Sequence, residues 1–300
     1  MTRKISLSLI ILLIISCQSL HAQQTGIIQS DNVVILFEKP LRVAAEEAFH
    51  IFPKIKTDLE NVFGWELKFR TTIVLINDRE RFRQMTGNSL VVAYVVPQKN
   101  LMVIDYTRTN TDPFSLGTIM KHELCHLALH NQIRKARLPR WLDEGISQSV
   151  SDGIAEIVMS RKRSLLDGAV LSEKLFSIRS LNDTFPVSED SLLLAYEQSK
   201  SFVDFITHEF GKDGLLNLLK HLTDGDNIEV AVRRSFSVSF DELERRWQNN
   251  LRKRITWFTY LANNLYGILF FFAALITIGG FVRVLIKKKR YGNEEESLDT

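Results

Sequence analysis

Hydrophobic positions in the first half of the chain follow two periods. Short runs of Val, Ile, Leu and Tyr predict strands and a hairpin. These runs lie at residues 33–37, 67–76, 90–96 and 101–106. Between them, apolar residues recur every three or four positions and predict two helices. The longer helix covers residues 40–63 and is expected to bend or break at Pro53, and the shorter one covers residues 78–85.

The second half of the chain shows the helical period almost alone. The predicted helices are at residues 191–210, 212–223, 227–236 and 240–254. Gly211 and Gly225 follow the first two, as expected for helix ends. The pattern therefore predicts an α+β fold, with a mixed α/β lobe at residues 23–136 and a helical lobe at residues 137–254.

The first 22 residues are typical of a signal peptide. The basic residues Arg3 and Lys4 precede the apolar residues 5–16, a run too short to span a bilayer. Cleavage after Ala22 is the preferred interpretation. The residues before Cys17 also resemble a bacterial lipobox, which would leave Cys17 lipidated at the new N-terminus, and both alternatives stay open.

A second apolar segment lies near the other end of the chain. Residues 255–282 contain no charged residue, and residues 261–285 are long enough for a transmembrane helix. The basic run Lys287-Lys288-Lys289-Arg290 predicts a cytoplasmic tail at residues 286–300. With a signal peptide, this gives a single-pass protein of the bacterial cell membrane whose soluble domain, residues 23–254, is periplasmic or extracellular.

Composition narrows the partners only slightly. A formal net charge of +3 gives no case for nucleic-acid binding. The two cysteines are Cys17 and Cys125, so the chain has no internal disulfide after signal cleavage. The oligomeric state stays unknown.

One short motif carries the candidate chemistry: H-E-x-x-H at residues 122–126. On a helix, His122 and His126 lie one turn apart on the same face, and both imidazoles can reach one Zn²⁺. Glu123 lies beside that metal, where it can take a proton from a bound water. The motif therefore predicts a metal hydrolase site.

The helix that carries this motif is predicted from its own apolar stripe. Its start is expected at Asp112, as N-cap, and Pro113, in the first turn. Its buried positions recur at helical spacing and are Leu116, Met120, Leu124, Leu127 and Ala128. Glu123 and the two histidines are expected off this stripe, and Cys125 is expected to be a small core residue.

A zinc site of this class needs a third protein ligand and an open fourth position. The segment L-P-R-W-L-D-E-G at residues 138–145 offers Glu144 from a second helix. We expect that helix to begin at Pro139. Gly145 is expected to allow close packing of the second helix against the first.

The pairing of H-E-x-x-H with W-L-x-E-G resembles the gluzincin metallopeptidases, especially the bacterial peptidase MA-like family. The thermolysin-type and aminopeptidase branches are more distant. The resemblance covers residues 32–254 and implies a thermolysin-like catalytic domain with one zinc ion on His122, His126 and Glu144. It further implies Glu123 as general base and a membrane-anchored peptidase that acts on a peptide or protein substrate.

Some positions depart from the better-known gluzincins. The G-x-M-E-N segment that marks aminopeptidases does not occur, so an endopeptidase is expected. Gln148 stands where those branches often carry an acidic residue that orients a ligand histidine. Gln148, Asp143 and Asp152 stay open as partners of the ligand histidines. His130 lies about 12 Å from His122 along a straight helix and is expected at the surface, not on the metal.

A last candidate lies in the helical lobe. Residues 195–199 resemble an A-Y-x-x-S segment that follows the zinc motifs in peptidase MA-like sequences. Tyr196 is expected either to donate a hydrogen bond to the oxyanion of the reaction or to serve packing alone. The alternative to a peptidase is a non-catalytic membrane protein that uses a zinc-stabilised fold for binding or scaffolding. The intact Glu123 argues against it.

Overall fold

The structure is a computed structural model of the 300-residue chain. It describes residues 25–88, 91–109, 115–151, 165–256, 261–262 and 264–296, with side chains up to residue 285. The predicted signal peptide and the end of the tail lie outside the described residues.

Five strands form one sheet in the order β1-β2-β3-β5-β4. They are β1 (Thr25–Gln29), β2 (Val33–Glu38), β3 (Thr71–Ile76), β4 (Ala93–Val96) and β5 (Leu101–Asp105). β2, β3 and β5 run parallel, with Val33 opposite Thr71 and Ile73 opposite Met102. β1 and β4 pair antiparallel with β2 and β5. β4 is therefore an edge strand within the described part of the chain.

The described α-helices follow and surround this sheet. They are α1 (Arg42–Phe63), α2 (Arg79–Thr86), α3 (Leu116–Gln132), α4 (Arg140–Val150), α5 (Leu165–Leu171), α6 (Glu189–Asp224), α7 (Ile228–Phe236), α8 (Phe240–Arg254) and α9 (Leu265–Glu296). Short 3-10 turns stand at Lys39–Leu41, Pro97–Lys99, Tyr106–Arg108 and Ile178–Leu181.

Helix α1 packs on the sheet through one apolar face. Its buried residues recur at helical spacing and include Ala44, Ala48, Ile55 and Leu59. α1 also packs against α3, and α3 in turn lies against β4. These contacts hold α3 next to the edge of the sheet.

The predictions for this half agree with the structure in type and differ at some boundaries. The strands, the hairpin and both helices are present, but β1 was not predicted. The predicted strand at residues 67–76 begins only at Thr71, because the backbone N–H of Leu67 bonds to Glu60 Oε1 at the end of α1. The helix does not break at Pro53, which lies inside α1.

The second half is helical, as predicted. The two helices expected at residues 191–210 and 212–223 form one run, α6, interrupted at Gly211 by a left-handed backbone with φ 74° and ψ 172°. Glycine takes this conformation without the steric cost of a Cβ. α6 packs closely against α4, so the helical part lies directly behind the H-E-x-x-H helix.

Helix α9 differs from all of these because its apolar side chains are exposed. Leu265–Leu285 has a mean hydropathy of 2.3 and is 0% buried. This is the one described helix long and apolar enough to cross a membrane.

The chain divides into two compact units. The larger contains the described residues up to Leu165 together with Phe176–Arg245. The smaller contains Leu166–Leu175 and the chain from Arg246 onwards. The sheet, α3, α4 and α6 all belong to the larger unit.

Candidate metal centre

The helix that carries the H-E-x-x-H motif begins at Leu116. Ser115 is its N-cap, and the Ser115 hydroxyl accepts a hydrogen bond from the backbone N–H of Thr118 at 3.1 Å. The predicted start was wrong: Asp112 and Pro113 lie outside the described residues and before the helix. Serine caps a helix as well as aspartate does, and here the serine stands next to the first helical turn.

The motif is buried on every side of α3. The predicted apolar stripe is buried, and Cys125 is a buried free thiol, as expected. His122, Glu123 and His126 are exposed by only 1%, 0% and 2%, because α1 and α4 both pack on α3. Polar groups this deep need hydrogen-bond partners or a ligand.

Helix α4 brings the third candidate ligand to this place. Pro139 is its N-cap residue and Arg140 its first residue, so the predicted start is correct to within one residue. Trp141 is fully buried, and its indole N–H donates to Asn182 Oδ1 at 2.9 Å. This anchor fixes the first turn of α4 and directs Glu144 towards α3.

His122, His126 and Glu144 converge on one point. One ligand atom of each lies within 4.8 Å of the others. The Nε2 atoms of the two histidines are 3.2 Å apart, and His126 Nε2 is 3.6 Å from Glu144 Oε2. Two nitrogens bound to one tetrahedral zinc ion at about 2.1 Å lie roughly 3.4 Å from each other. The three side chains therefore fit one zinc ion in chemistry and in spacing.

The outer nitrogen of His122 is held by a serine. His122 Nδ1 lies 3.1 Å from Ser151 Oγ, and the Ser151 hydroxyl donates to the backbone oxygen of Ser147 at 2.7 Å. Since the serine proton is used in this way, Ser151 Oγ accepts from His122 Nδ1–H. The lone pair of His122 Nε2 then faces the centre, as a metal ligand requires.

The outer nitrogen of His126 is held by a carboxylate. His126 Nδ1 lies 2.7 Å from Asp143 Oδ1 and 3.2 Å from Ser147 Oγ. The second oxygen of Asp143 lies 2.8 Å from His130 Nε2. Asp143, left open in the sequence as a partner of a ligand histidine, has this position. His130 is only partly at the surface, with a side chain 36% exposed.

These surroundings shift the pKa values of the buried groups. Burial holds the pKa of His122 well below its ordinary value, and the neighbouring His126 adds to this effect. Burial alone would raise the pKa of Asp143, but His126 and His130 outweigh it and hold that pKa below its usual range. Burial raises the pKa of the Cys125 thiol, which stays protonated. The site therefore presents neutral imidazole at His122 and carboxylate at Asp143.

Tyr196 reaches the same place from α6. It is 1% exposed, and its hydroxyl donates to Glu144 Oε1 at 3.4 Å. The guanidinium of Arg140 lies 3.8 Å from that oxygen and 4.7 Å from the centre of the Phe185 ring. The two oxygens of Glu144 are thus distinguished: Oε1 faces Tyr196 and Arg140, and Oε2 faces His126.

Gly145 makes its close contact with α6 and not, as predicted, with α3. A Cβ at this position would stand 2.5 Å from the backbone oxygen of Ser199 and 2.6 Å from Val203 Cγ2. A side chain here would push α4 away from α6. The glycine after Glu144 therefore serves the packing that brings Tyr196 next to Glu144.

Sequence reasoning missed part of this environment. Ser147 and Ser151 were not predicted, although both follow Glu144 at spacings that can share a helix face. Gln148 does not orient a histidine: its amide donates to the backbone oxygen of Tyr196 at 3.1 Å and joins α4 to α6. Asp152, the third residue left open, lies outside the described residues.

The family follows from a comparison of the whole sequence. The sequence model of the peptidase MA superfamily matches residues 84–253, which is more than half of the 300 residues and includes every residue of the candidate site. The chain belongs to the peptidase MA superfamily. Together with the His-His-Glu cluster, this membership defines a gluzincin-like zinc metallopeptidase. No curated protein matches the chain in sequence.

Several solved structures share the general fold at low identity. Aminopeptidase A from Legionella pneumophila is 13% identical with a TM-score of 0.44, and the match covers 75% of this chain and 28% of that one. A variant of an M1 zinc metallopeptidase from Deinococcus radiodurans is 12% identical with a TM-score of 0.41, with coverages of 75% and 51%. The chain thus spans about a quarter to a half of these proteins, and nothing about its substrate follows from them.

Proposed function

We propose that the protein is a membrane-anchored, zinc-dependent endopeptidase that hydrolyses peptide bonds on the periplasmic or extracellular side. The observation that carries this proposal is the convergence of His122, His126 and Glu144 within 4.8 Å, with Glu123 next to the first ligand. A purely structural zinc site has its fourth position closed by protein, whereas three ligands leave one position for water.

Each side chain of the site has a separate task in this proposal. His122, His126 and Glu144 hold one zinc ion, which supplies Lewis-acid chemistry by acidifying water and polarising the scissile carbonyl. Glu123 accepts the proton from the attacking water and passes it to the leaving amine. The burial of Glu123, 0% exposed, keeps bulk water from competing for that proton.

Tyr196 is proposed to stabilise the oxyanion that forms on the substrate. Its hydroxyl lies next to Glu144, and this contact is supported by the packing of α6 on α4 through Gly145. A phenol that donates a hydrogen bond to developing negative charge lowers the barrier of acyl transfer. A role limited to the orientation of Glu144 is the alternative.

The edge strand β4 is proposed to bind the substrate. β4 packs against α3, and β5 is its strand partner within the described residues. An extended peptide that adds to such an edge gains backbone hydrogen bonds along several residues. This mode needs no free terminus on the substrate, which favours an endopeptidase over an aminopeptidase.

The domain organisation is proposed from the sequence and from α9. Residues 1–22 are the signal peptide, residues 23–254 the peptidase domain, residues 261–285 the transmembrane helix and residues 286–300 the cytoplasmic tail. The exposed apolar surface of α9 supports a span, since a water-soluble helix with this surface would aggregate.

One experiment tests the enzymatic part directly. The full chain, purified in detergent, is analysed for zinc and incubated with a peptide library in which every N-terminus is acetylated. We expect one zinc ion per chain and internal cleavage that stops with a chelator and returns with zinc. Cleavage of free N-termini alone indicates an aminopeptidase. A zinc-loaded protein that cleaves nothing supports the scaffolding alternative.

A second experiment tests the orientation in the membrane. A tag after Thr300 and a protease added to spheroplasts report the two sides of the membrane separately. We expect the domain around Glu144 to be digested and the tag to stay protected until the membrane is broken. The reverse pattern places the peptidase in the cytoplasm.

A further inference from the structure

Asp143 lies between two imidazoles on the far side of the metal site. Its Oδ1 is 2.7 Å from His126 Nδ1, and its Oδ2 is 2.8 Å from His130 Nε2. Each carboxylate oxygen therefore has one imidazole as a partner. The Asp143 side chain is 14% exposed, so solvent reaches the edge of this group.

His130 is close to the site without being a ligand. It stands one turn after His126 on α3, and about 12 Å separate it from His122 along the helix axis at 1.5 Å per residue. It therefore cannot share an ion with His122. Its ring reaches the metal site only through the carboxylate of Asp143.

The orientation of Asp143 matters because His126 has two acceptors for the same proton. Its Nδ1 lies 2.7 Å from Asp143 Oδ1 and 3.2 Å from the Ser147 hydroxyl oxygen. A carboxylate that is free to rotate would give up the shorter bond, and the imidazole would turn towards the serine. A carboxylate fixed at both oxygens keeps the ring, and with it the Nε2 lone pair, aimed at the metal position.

We propose that His130 is a positioning residue for the metal centre: it fixes Asp143, and Asp143 fixes His126. The proposal rests on the proposed zinc site for its effect on catalysis, but the hydrogen-bonded chain itself exists in the metal-free protein. His130 is one of seven histidines in the chain, and its side chain accounts for the second oxygen of Asp143.

The chain makes a specific requirement of the residue at position 130. A hydrogen-bond donor of similar length maintains the contact, whereas an apolar side chain of similar size removes it. The variants His130→Gln and His130→Leu therefore differ in the contact more than in packing. His208, an exposed histidine on α6, offers a matched control in His208→Leu.

The test uses the full chain in detergent and measures the zinc dissociation constant by competition with a chromophoric chelator. Removal of a direct partner of a ligand histidine typically weakens metal binding about 10–100-fold, so we expect His130→Leu, one bond further out, to weaken it roughly 3–10-fold. His130→Gln should restore most of the affinity, and His208→Leu should leave it unchanged.

Two further measurements separate this role from general packing. Nitrogen-15 NMR of the imidazoles in the metal-free chain should show that His126 carries its proton on Nδ1, and that His130→Leu disturbs this tautomer. In an Asp143→Asn background, His130→Leu should have no further effect on zinc affinity, because the link is already broken.

Several results would overturn the proposal. They are unchanged zinc affinity in His130→Leu, a His130→Gln variant no better than His130→Leu, or additive losses in the double variant. If the wild-type chain holds no zinc, the proposed function fails while the tautomer of His126 still decides the role of His130.

Discussion

The Nε2 atoms of His122 and His126 face each other at 3.2 Å inside the protein. Each ring is oriented by a bond at its other nitrogen, to Ser151 for the first histidine and to Asp143 for the second. Two inward lone pairs at this distance repel each other unless an ion or a proton lies between them. The arrangement is therefore built for a cation, and Glu144 completes its ligands.

Substitution of one ligand tests the site itself. His122→Ala should lose zinc, because two remaining ligands hold the ion far more weakly than three. The measurement is the ratio of zinc to protein after dialysis. His50→Ala, which removes an exposed histidine on α1, is the control and should keep the wild-type ratio. Full zinc in the His122 variant would rule out the proposed ligands.

Tyr196→Phe tests the proposed oxyanion contact. Loss of a donor that acts only in the transition state should lower kcat by about 10²-fold while KM stays nearly constant. Steady-state kinetics on the best library peptide give both values. A lowered zinc affinity with unchanged kcat at saturating zinc would assign Tyr196 to the orientation of Glu144 instead.

Gly145→Ala tests the packing of α4 on α6. The new Cβ would stand 2.5 Å from the backbone oxygen of Ser199, which has little freedom to move. We expect a loss of about 1–3 kcal/mol in the free energy of unfolding, together with weaker zinc binding as Glu144 shifts. Denaturant unfolding measures the first and chelator competition the second.

Gly117→Ala is the matched control for this substitution. Its Cβ would meet the Ile51 side chain at an ordinary 3.5 Å in a helix that glycine disfavours. It should be neutral or stabilise by up to about 1 kcal/mol. Equal effects of the two substitutions would contradict the close contact between α4 and α6.

A carboxylate remote from the site gives a prediction about pH. Burial alone would raise the pKa of Glu60, but the Lys56 ammonium and the backbone N–H of Leu67 outweigh it and lower that pKa below its ordinary 4.5. The folded state thus favours the ionised form. The resulting stability is present above the unfolded pKa and disappears as the pH falls through the lowered folded pKa.

Glu60→Gln should therefore lower the free energy of unfolding at pH 7 by about 1 kcal/mol and lose its effect near pH 3. Glu47→Gln changes an exposed carboxylate of the same helix and is the control. Urea unfolding at several pH values measures both. A constant difference between Glu60→Gln and wild type across this range would show that the ionised form is not the one that matters.

The sequence predicted what depends on local spacing. The four-residue separation of His122 and His126 places both on one face of any helix, and the apolar stripe identified that helix. Glu144 followed from its resemblance to a known motif. The start at Ser115 was missed because several capping residues stand close together before α3, and sequence alone does not choose among them.

The rest of the site depends on how helices cross, and a single sequence does not contain that information. Asp143 contacts His126 and His130 because α4 crosses α3 at one particular place. The same crossing decides that Gly145 faces α6 and that Gln148 bonds to a backbone oxygen there. These contacts join residues far apart in the chain, so residue type offered candidates but not partners.

The most direct test of the central claim compares wild type with Glu123→Gln at equal zinc content. The glutamine keeps the shape of the side chain and the three metal ligands but cannot accept a proton. We expect one zinc ion per chain in both proteins and a loss of hydrolysis of about 10²–10⁴-fold in the variant, measured on a library peptide. Wild-type activity in the zinc-loaded variant would contradict a mechanism in which Glu123 is the general base.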